Sequence, residues 1–431
     1  MKIRSLLLGS AALAGLTTVG YAADLGVVTS LDVCDELGLS GLTISSDDNC
    51  LVITGNVTFE YDWGDYTPGR VYGDFASINN DNNYNVLDPT TPLDSNADVD
   101  TWLKFVGTAD SDFGPASATI KLISENNNGT VDQTVGIDEA WVGIGDTTML
   151  MAGYKSSIFN AGDDAPLNYL GLFNSNAINS GVSWHTATAA TGGDVIQVVS
   201  NLGNGLTVKG GLENLAGLFG TGTAVGVVEY AGDSITAHIS AAIGTAKAAG
   251  PPWGWKVHAG FTGAWDPIKV VGAVAADSTG YWNALGSVAA TFDMFTLSAS
   301  GEAANDGYGA GGSVSAKVTD GVTINLGGKF WHHTPYVGVG TSANDAAAAY
   351  NLWRVEAGLS ASVTETVTLS AAVGYEASTA AGGTNLNGSA DFYGTAGVAW
   401  APGGGFTSSS SITVNSLGGY KAVFKAAKDI K

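Results

Sequence analysis

Residues 51–63 read LVITGNVTFEYDW. Side chains alternate across an extended chain. Leu51, Ile53, Val57, Phe59, Tyr61 and Trp63, with Gly55 among them, therefore share one face. Val52, Thr54, Asn56, Thr58, Glu60 and Asp62 share the other. One face is apolar and one is wet, and the fold turns on which apolar medium the first face meets.

The same period recurs in ITAHISAAI (235–243), KVHAGFTGAW (256–265), VTINLGGKF (322–330) and VTLSAAVGYE (367–376). About twenty segments of 8 to 13 residues follow it. Their wet partners are Thr, Ser, Lys, Glu and Gly, whereas a β-sandwich would place bulky aliphatics on the inner faces of both sheets. Bulk on one face only suits lipid outside and water inside. Composition agrees: 13% of residues are charged and 45% hydrophobic, against about 25% charged in soluble domains. A membrane β-barrel reconciles low charge with the lack of a long apolar run.

One apolar run does open the chain. Lys2 and Arg4 precede SLLLGSAALAGL, and Gly20 and Ala22 suit a cleavage site. Residues 1–22 are expected to be a secretory signal peptide, too short to span as a helix. Without Lys2 and Arg4, 15 Lys+Arg stand against 40 Asp+Glu, a formal charge of −25. Such a charge argues against nucleic acid or anionic headgroups as partners. Cys34 and Cys50, with fifteen residues between them, read most simply as a disulfide in an exported segment 23–50. Two buried thiols are the alternative. Closing a loop of about 15 residues stabilises by roughly 3 kcal/mol in the chain-entropy model.

The connections alternate as well. NLGNG (201–205), AGDS (231–234), DP (266–267), DM (293–294), TDG (319–321) and TET (364–366) are short. Those at 64–99, 245–254, 333–349 and 377–390 are long. Short turns on one rim and long loops on the other are expected of an outer-membrane barrel spanning 51–431. Trp265, Phe292, Phe295, Trp400 and Phe406 flank short turns, while Trp63, Trp282 and Trp353 lie beside long loops. Two interfacial aromatic belts follow. The stretch 157–193 is too long for a plain connection and carries Asp163 and Asp164 between Gly162 and Pro166.

Four further stretches are MKIRSLLLGSAALAGL running to AAD (1–24), VCDELGLSGLTISSDDNCLVITGNV (33–57), AGYKSSIFNAGDDAPLNYLG (152–171) and VIQVVSNLGNGLTVKGGLEN (195–214). Each resembles the general porins of alphaproteobacteria related to Rhizobiales and Brucella porins. The resemblance covers the first half of the chain; the second half matches by pattern only. It implies a closed antiparallel all-β barrel of 16 strands, against 16–20 by segment count. It also implies a homotrimer and a third loop that folds inward and narrows the pore. Asp163 and Asp164 on that loop would face wall bases, with Lys104, Lys121, Lys155, Lys209 and Arg354 as candidates. Glu60, Asp62, Glu356 and Glu376 are expected to face the lumen. Charge rings in a narrow, water-filled constriction select ions. The chain departs from the family pattern at Tyr154–Lys155, where an arginine usually follows AG, and at its last residues, KAVFKAAKDIK, where a terminal aromatic is usual.

No cofactor or metal is expected. His332 and His333 are adjacent, hence on opposite strand faces. NNDNNYN (79–85) and DSNADVD (94–100) lack the glycine and glutamate of an EF-hand loop and are read as solvated external loops. No catalytic motif is present. The expected function is a passive outer-membrane channel for ions and small hydrophilic solutes, weakly cation-selective, with no catalysis. The rivals are a secreted acidic β-solenoid adhesin and a barrel enzyme.

Overall fold

The computed structural model describes residues 34, 37, 39, 41–46, 48–65, 94–126, 134–172, 181–184, 191–216, 222–244, 254–334, 349–380, 390–416 and 418–431. The expected signal peptide and the 79–85 stretch lie outside them.

The strands in chain order are β1 (Leu42–Ser45), β2 (Cys50–Asp65), β3 (Asp94–Ala109), β4 (Ala116–Asn126), β5 (Gly136–Gly145), β6 (Thr148–Lys155) and β7 (Gly193–Gly203). There follow β8 (Leu206–Glu213), β9 (Thr223–Ala231), β10 (Ile235–Gly244), β11 (Trp255–Trp265), β12 (Ile268–Asp277), β13 (Trp282–Phe292) and β14 (Phe295–Ala304). The last are β15 (Gly307–Thr319), β16 (Val322–His333), β17 (Tyr350–Ser362), β18 (Val367–Ala380), β19 (Ala390–Gly403), β20 (Phe406–Asn415) and β21 (Tyr420–Ile430). From β2 to β21 each strand pairs antiparallel with the next. The ring shuts where β2 pairs β21, from Gly55 opposite Ile430 to Asp65 opposite Tyr420. This closed meander is incompatible with a β-solenoid.

The barrel therefore has 20 strands, with β1 outside it. That corrects the 16 strands implied by the family resemblance. The alternating segments themselves carry about twenty, and each becomes a wall strand. The atypical last residues form the closing strand, β21. Next to it, β1 pairs the start of β2, with Leu42 opposite Ile53, and so occupies the rim just beyond the end of β21. Cys34 and Cys50 form a disulfide, Cα–Cα 5.0 Å, at that rim. The DSNADVD stretch is not a loop. It opens β3, paired to β2 from Gly64 opposite Asp94, and its Asn96 donates to Asp98 at 2.7 Å.

The outer register is apolar. Phe59 is 36% exposed, Leu326 53% and Ile239 65%, exposure that water would penalise and lipid favours. Trp265, Phe292, Phe295 and Trp400 stand exposed near the short-turn rim, and Trp63, Trp282 and Trp353 near the other. The inner register of the first wall strand carries Glu60 and Asp62, which meet Lys425 at 2.7 Å and Lys421 at 3.6 Å across the closing seam.

Lysine at Phe59 or arginine at Leu326 is expected to destabilise the barrel by roughly 2–4 kcal/mol if the position lies near the bilayer midplane. Lysine at the inward Thr58 is expected to be tolerated. Urea unfolding in lipid vesicles measures the difference, and equal costs at 58 and 59 would contradict the register.

Candidate functional site: the loop inside the barrel

The described residues of the connection between β6 and β7 (156–172, 181–184 and 191–192) enter the barrel and run along its inner wall. Glu213, at the end of β8, clasps both of its ends. Its carboxylate accepts from Ser157 Oγ (2.6 Å), the Ile158 amide (2.9 Å), the Gly192 amide (2.7 Å) and Gln197 Nε2 (2.8 Å). Further along, wall hydroxyls receive loop amides: Asn160 to Ser240 (3.1 Å), Leu167 to Ser287 (2.8 Å) and Tyr169 to Ser313 (2.8 Å). The return limb docks where Asn283 exchanges hydrogen bonds with the Ser183 backbone. At the far side, Lys329 Nζ donates to the Leu170 carbonyl at 2.9 Å and Tyr169 OH donates to Glu356 at 2.5 Å. Burial, then that bond, pushes the Tyr169 phenol up, so it remains a donor. The loop thus spans the wall from β8 to β17.

Apolar contact seals it. Leu172 and Val182 pack on Val271, Ala273, Ala275 and Leu285, and Ile158 packs on Val225, Val227 and Ala242. Under the loop the inner register turns from polar to apolar. Glycine admits the close approach at two points. A Cβ on Gly260 would lie 2.5 Å from the Gly162 carbonyl oxygen and 2.6 Å from His238 Cε1, and one on Gly181 would run into the Asp164 carboxylate.

The structure brings Asp163 and Asp164 together with two histidines that the sequence reading did not single out. His238 (β10) and His258 (β11) are buried, their ring planes within 3° of each other and their centroids 5.0 Å apart, so that the two rings meet end to end. Asp163 sits at φ +54°. It accepts from Thr236 Oγ1 at 2.5 Å and contacts His238 Nδ1 at 3.3 Å. Asp164 Oδ2 lies 3.6 Å from His258 Nε2. The His238 contact holds the Asp163 carboxyl down to about 2 against its burial, with Thr236 and Thr262 hydroxyls assisting. The available signal was register: both histidines fall on the wet side of ITAHISAAI and KVHAGFTGAW.

The five candidate wall bases lie elsewhere. Lys104 (β3) meets Glu139 at 3.5 Å, Lys121 (β4) meets Asp138 at 2.6 Å, and Lys209 (β8) meets Glu229 at 2.7 Å. Lys155 (β6) lies 5.2 Å over the Trp141 ring. Arg354 (β17) pairs with Glu356, donates to Tyr393 OH at 2.6 Å and stands 3.8 Å from Glu376. These bases answer wall acids and rings, while histidines answer the loop acids.

Twenty closed antiparallel strands, an apolar outer belt, a polar wall and an inward loop define a multi-pass outer-membrane β-barrel of the porin type. No protein-family model matches the chain, and no curated protein matches its sequence. Among solved structures it is similar to a loop-deletion mutant of OmpT, an outer membrane protein of Vibrio cholerae. Identity is 9%, TM-score 0.38, over 89% of this chain and 100% of that one. It is also similar to the outer membrane channel DcaP of Acinetobacter baumannii (11%, 0.39, 91% and 100%). A double mutant of Rh. blastica porin is a third (11%, 0.36, 88% and 99%).

Glu213→Ala removes the acceptor for two loop amides and Gln197, each worth about 1–3 kcal/mol when buried unpaired. Faster hydrogen exchange at 157–160 with the wall strands still protected is the expected result; unchanged exchange would deny Glu213 its anchoring role. The depressed Asp163 value gives a second expectation. Its contribution is fully present above the unfolded carboxylate value near 4 and is lost as pH falls through about 2. Exchange at residues 161–165 should therefore remain slow at pH 4.

Proposed function

We propose that this protein is a passive, water-filled channel for ions and small hydrophilic solutes, without catalytic activity and weakly cation-selective. In keeping with its resemblance to Rhizobiales and Brucella porins over residues 1–213, it assembles as a homotrimer. Solutes diffuse through water held by the polar wall, past the loop between β6 and β7.

The charge arrangement carries the cation preference. Lys104, Lys121, Lys209 and Arg354 contact wall acids, and Glu60 and Asp62 have Lys425 and Lys421. Asp163 and Asp164 instead have histidines, which bring no fixed positive charge. The chain as a whole carries a formal −23. Carboxylates at a narrowed passage raise the local cation concentration, an effect reaching about 10 Å at 0.1 M salt and about 3 Å at 1 M.

Purified protein should form heat-modifiable oligomers on an unboiled gel and conduct in a planar bilayer. In a KCl gradient at low ionic strength the reversal potential should favour potassium. The preference should shrink at 1 M salt and in the double variant Asp163→Asn/Asp164→Asn. Chloride preference in dilute salt would instead assign the field to the wall lysines.

A further inference from the structure

Asp163, His238, His258 and Asp164 form an unbroken row, and its hydrogens can be counted. The Asp163 carboxylate only accepts. Its 3.3 Å contact therefore puts a hydrogen on His238 Nδ1. A neutral imidazole with Nδ1–H leaves Nε2 as an acceptor. The 2.8 Å bond between the rings must then be donated by His258 Nδ1–H to His238 Nε2. Neutral His258 has no second hydrogen, so its Nε2 carries a lone pair. That atom is buried, has no hydrogen-bond partner and faces Asp164 Oδ2 at 3.6 Å. Two acceptors oppose each other at the end of an otherwise satisfied chain.

We infer that the gap between His258 Nε2 and Asp164 is a proton-binding site, and that its occupancy sets the charge of the loop inside the pore. A proton taken from water onto Nε2 makes His258 an imidazolium. It then donates Nδ1–H to His238 and Nε2–H to Asp164, and every polar atom of the row is paired. One positive charge appears between two carboxylates, cancelling half of the loop's negative charge. A histidine ring can carry hydrogen on both nitrogens, which is what pairing every atom of the row requires of His258.

The surrounding charges are engaged elsewhere. Glu229 on β9 lies opposite His238 in register, but it is held by Lys209 and by Asn160 Nδ2, both at 2.7 Å. Lys256 on β11 lies 5.0 Å over both Phe159 and Trp184. Asp277 on β12, opposite Lys256, accepts from the Thr279 amide and hydroxyl. Glu213 on β8 is saturated by the loop root. Asp164 is thus the carboxylate that Nε2 meets, which makes His258 a specificity-determining residue for permeation. This last step rests on the proposed channel function; the proton site does not.

Two measurements keep the claims separate. In the full protein, with histidines labelled with nitrogen-15, NMR should show His258 and His238 both as Nδ1–H tautomers at pH 8. At pH 5, His258 should carry hydrogen on both nitrogens while His238 keeps its neutral form. Asp164→Asn assigns the His258 signal, because its carboxamide donates to Nε2 and removes the need for the proton. A His258 Nε2–H tautomer at pH 8, or a neutral His258 at pH 5, overturns the proton site. In bilayers, potassium preference should fall between pH 8 and pH 5 in the native protein, and this fall should be lost in Asp164→Asn. Expected NMR behaviour with no conductance at any pH would defeat the channel reading, and conductance without ion preference would defeat the cation selectivity; either leaves the proton site standing. An equal fall in Asp164→Asn would take the selectivity role from His258.

Discussion

A hydrocarbon layer offers no partner for a peptide group, and the architecture follows from that. Every strand in it must be flanked on both sides, so the first wall strand must find the last. The eleven pairs from Gly55–Ile430 to Asp65–Tyr420 meet that demand. The seam is polar inside, with Glu60–Lys425 and Asp62–Lys421, and aromatic outside, with Phe59 against Phe424 and Trp63 against Tyr420. Its two faces repeat in one place the division that the whole barrel maintains. Below the seam β2 runs on beyond β21, and β1, tied down by Cys34–Cys50, covers the edge left there.

The same constraint returns inside the barrel. A loop pressed on the wall loses water on one side, and its amides need acceptors. Side chains supply them: Glu213, Ser240, Ser287 and Ser313 for loop amides, and Lys329 for a loop carbonyl. Between these polar pins the wall presents Val225, Val227, Val271 and Leu285. Polar pins fix the path, and apolar area between them resists lifting at about 25 cal/mol per Å². A loop attached this way behaves as a part of the wall.

The opening stretch and its repeats made the lipid face, the antiparallel order and the alternation of short and long connections legible, because a period of two is a local property. Strand number was less legible, since the residues left a range of sixteen to twenty. About twenty segments counted from residues became twenty wall strands, whereas the likeness over the first half of the chain implied sixteen. The segment count sums every part of the chain, and the likeness does not reach the part where β9 to β21 lie. The seat of the loop was harder to see. VVGAVAAD (270–277) is apolar on both registers, and a strand between lipid and water should not be. Val271, Ala273 and Ala275 face inward to Leu172 and Val182. An apolar inward register was the available sign of a covered wall. The histidine row was illegible for a different reason: its four members come from three segments, and only folding the loop onto β10 and β11 joins them.

Strand number and loop are linked through size. Barrel width grows roughly linearly with strand number; barrels of 16 to 18 strands hold an aqueous channel, and those of 22 are plugged. Twenty strands fall between. A ring that wide encloses more water than wall side chains alone can narrow. The loop anchored from Glu213 to Glu356 reduces that space, lining about half the circumference with its own residues. The charges nearest the loop then matter more than the chain's total. Three wall bases meet wall acids in pairs: Lys104 with Glu139, Lys121 with Asp138, Lys209 with Glu229. Asp163 and Asp164 meet imidazoles instead of bases of fixed charge. If the barrel conducts as proposed, two adjacent loop carboxylates without a base of fixed charge beside them are where its ion preference would lie.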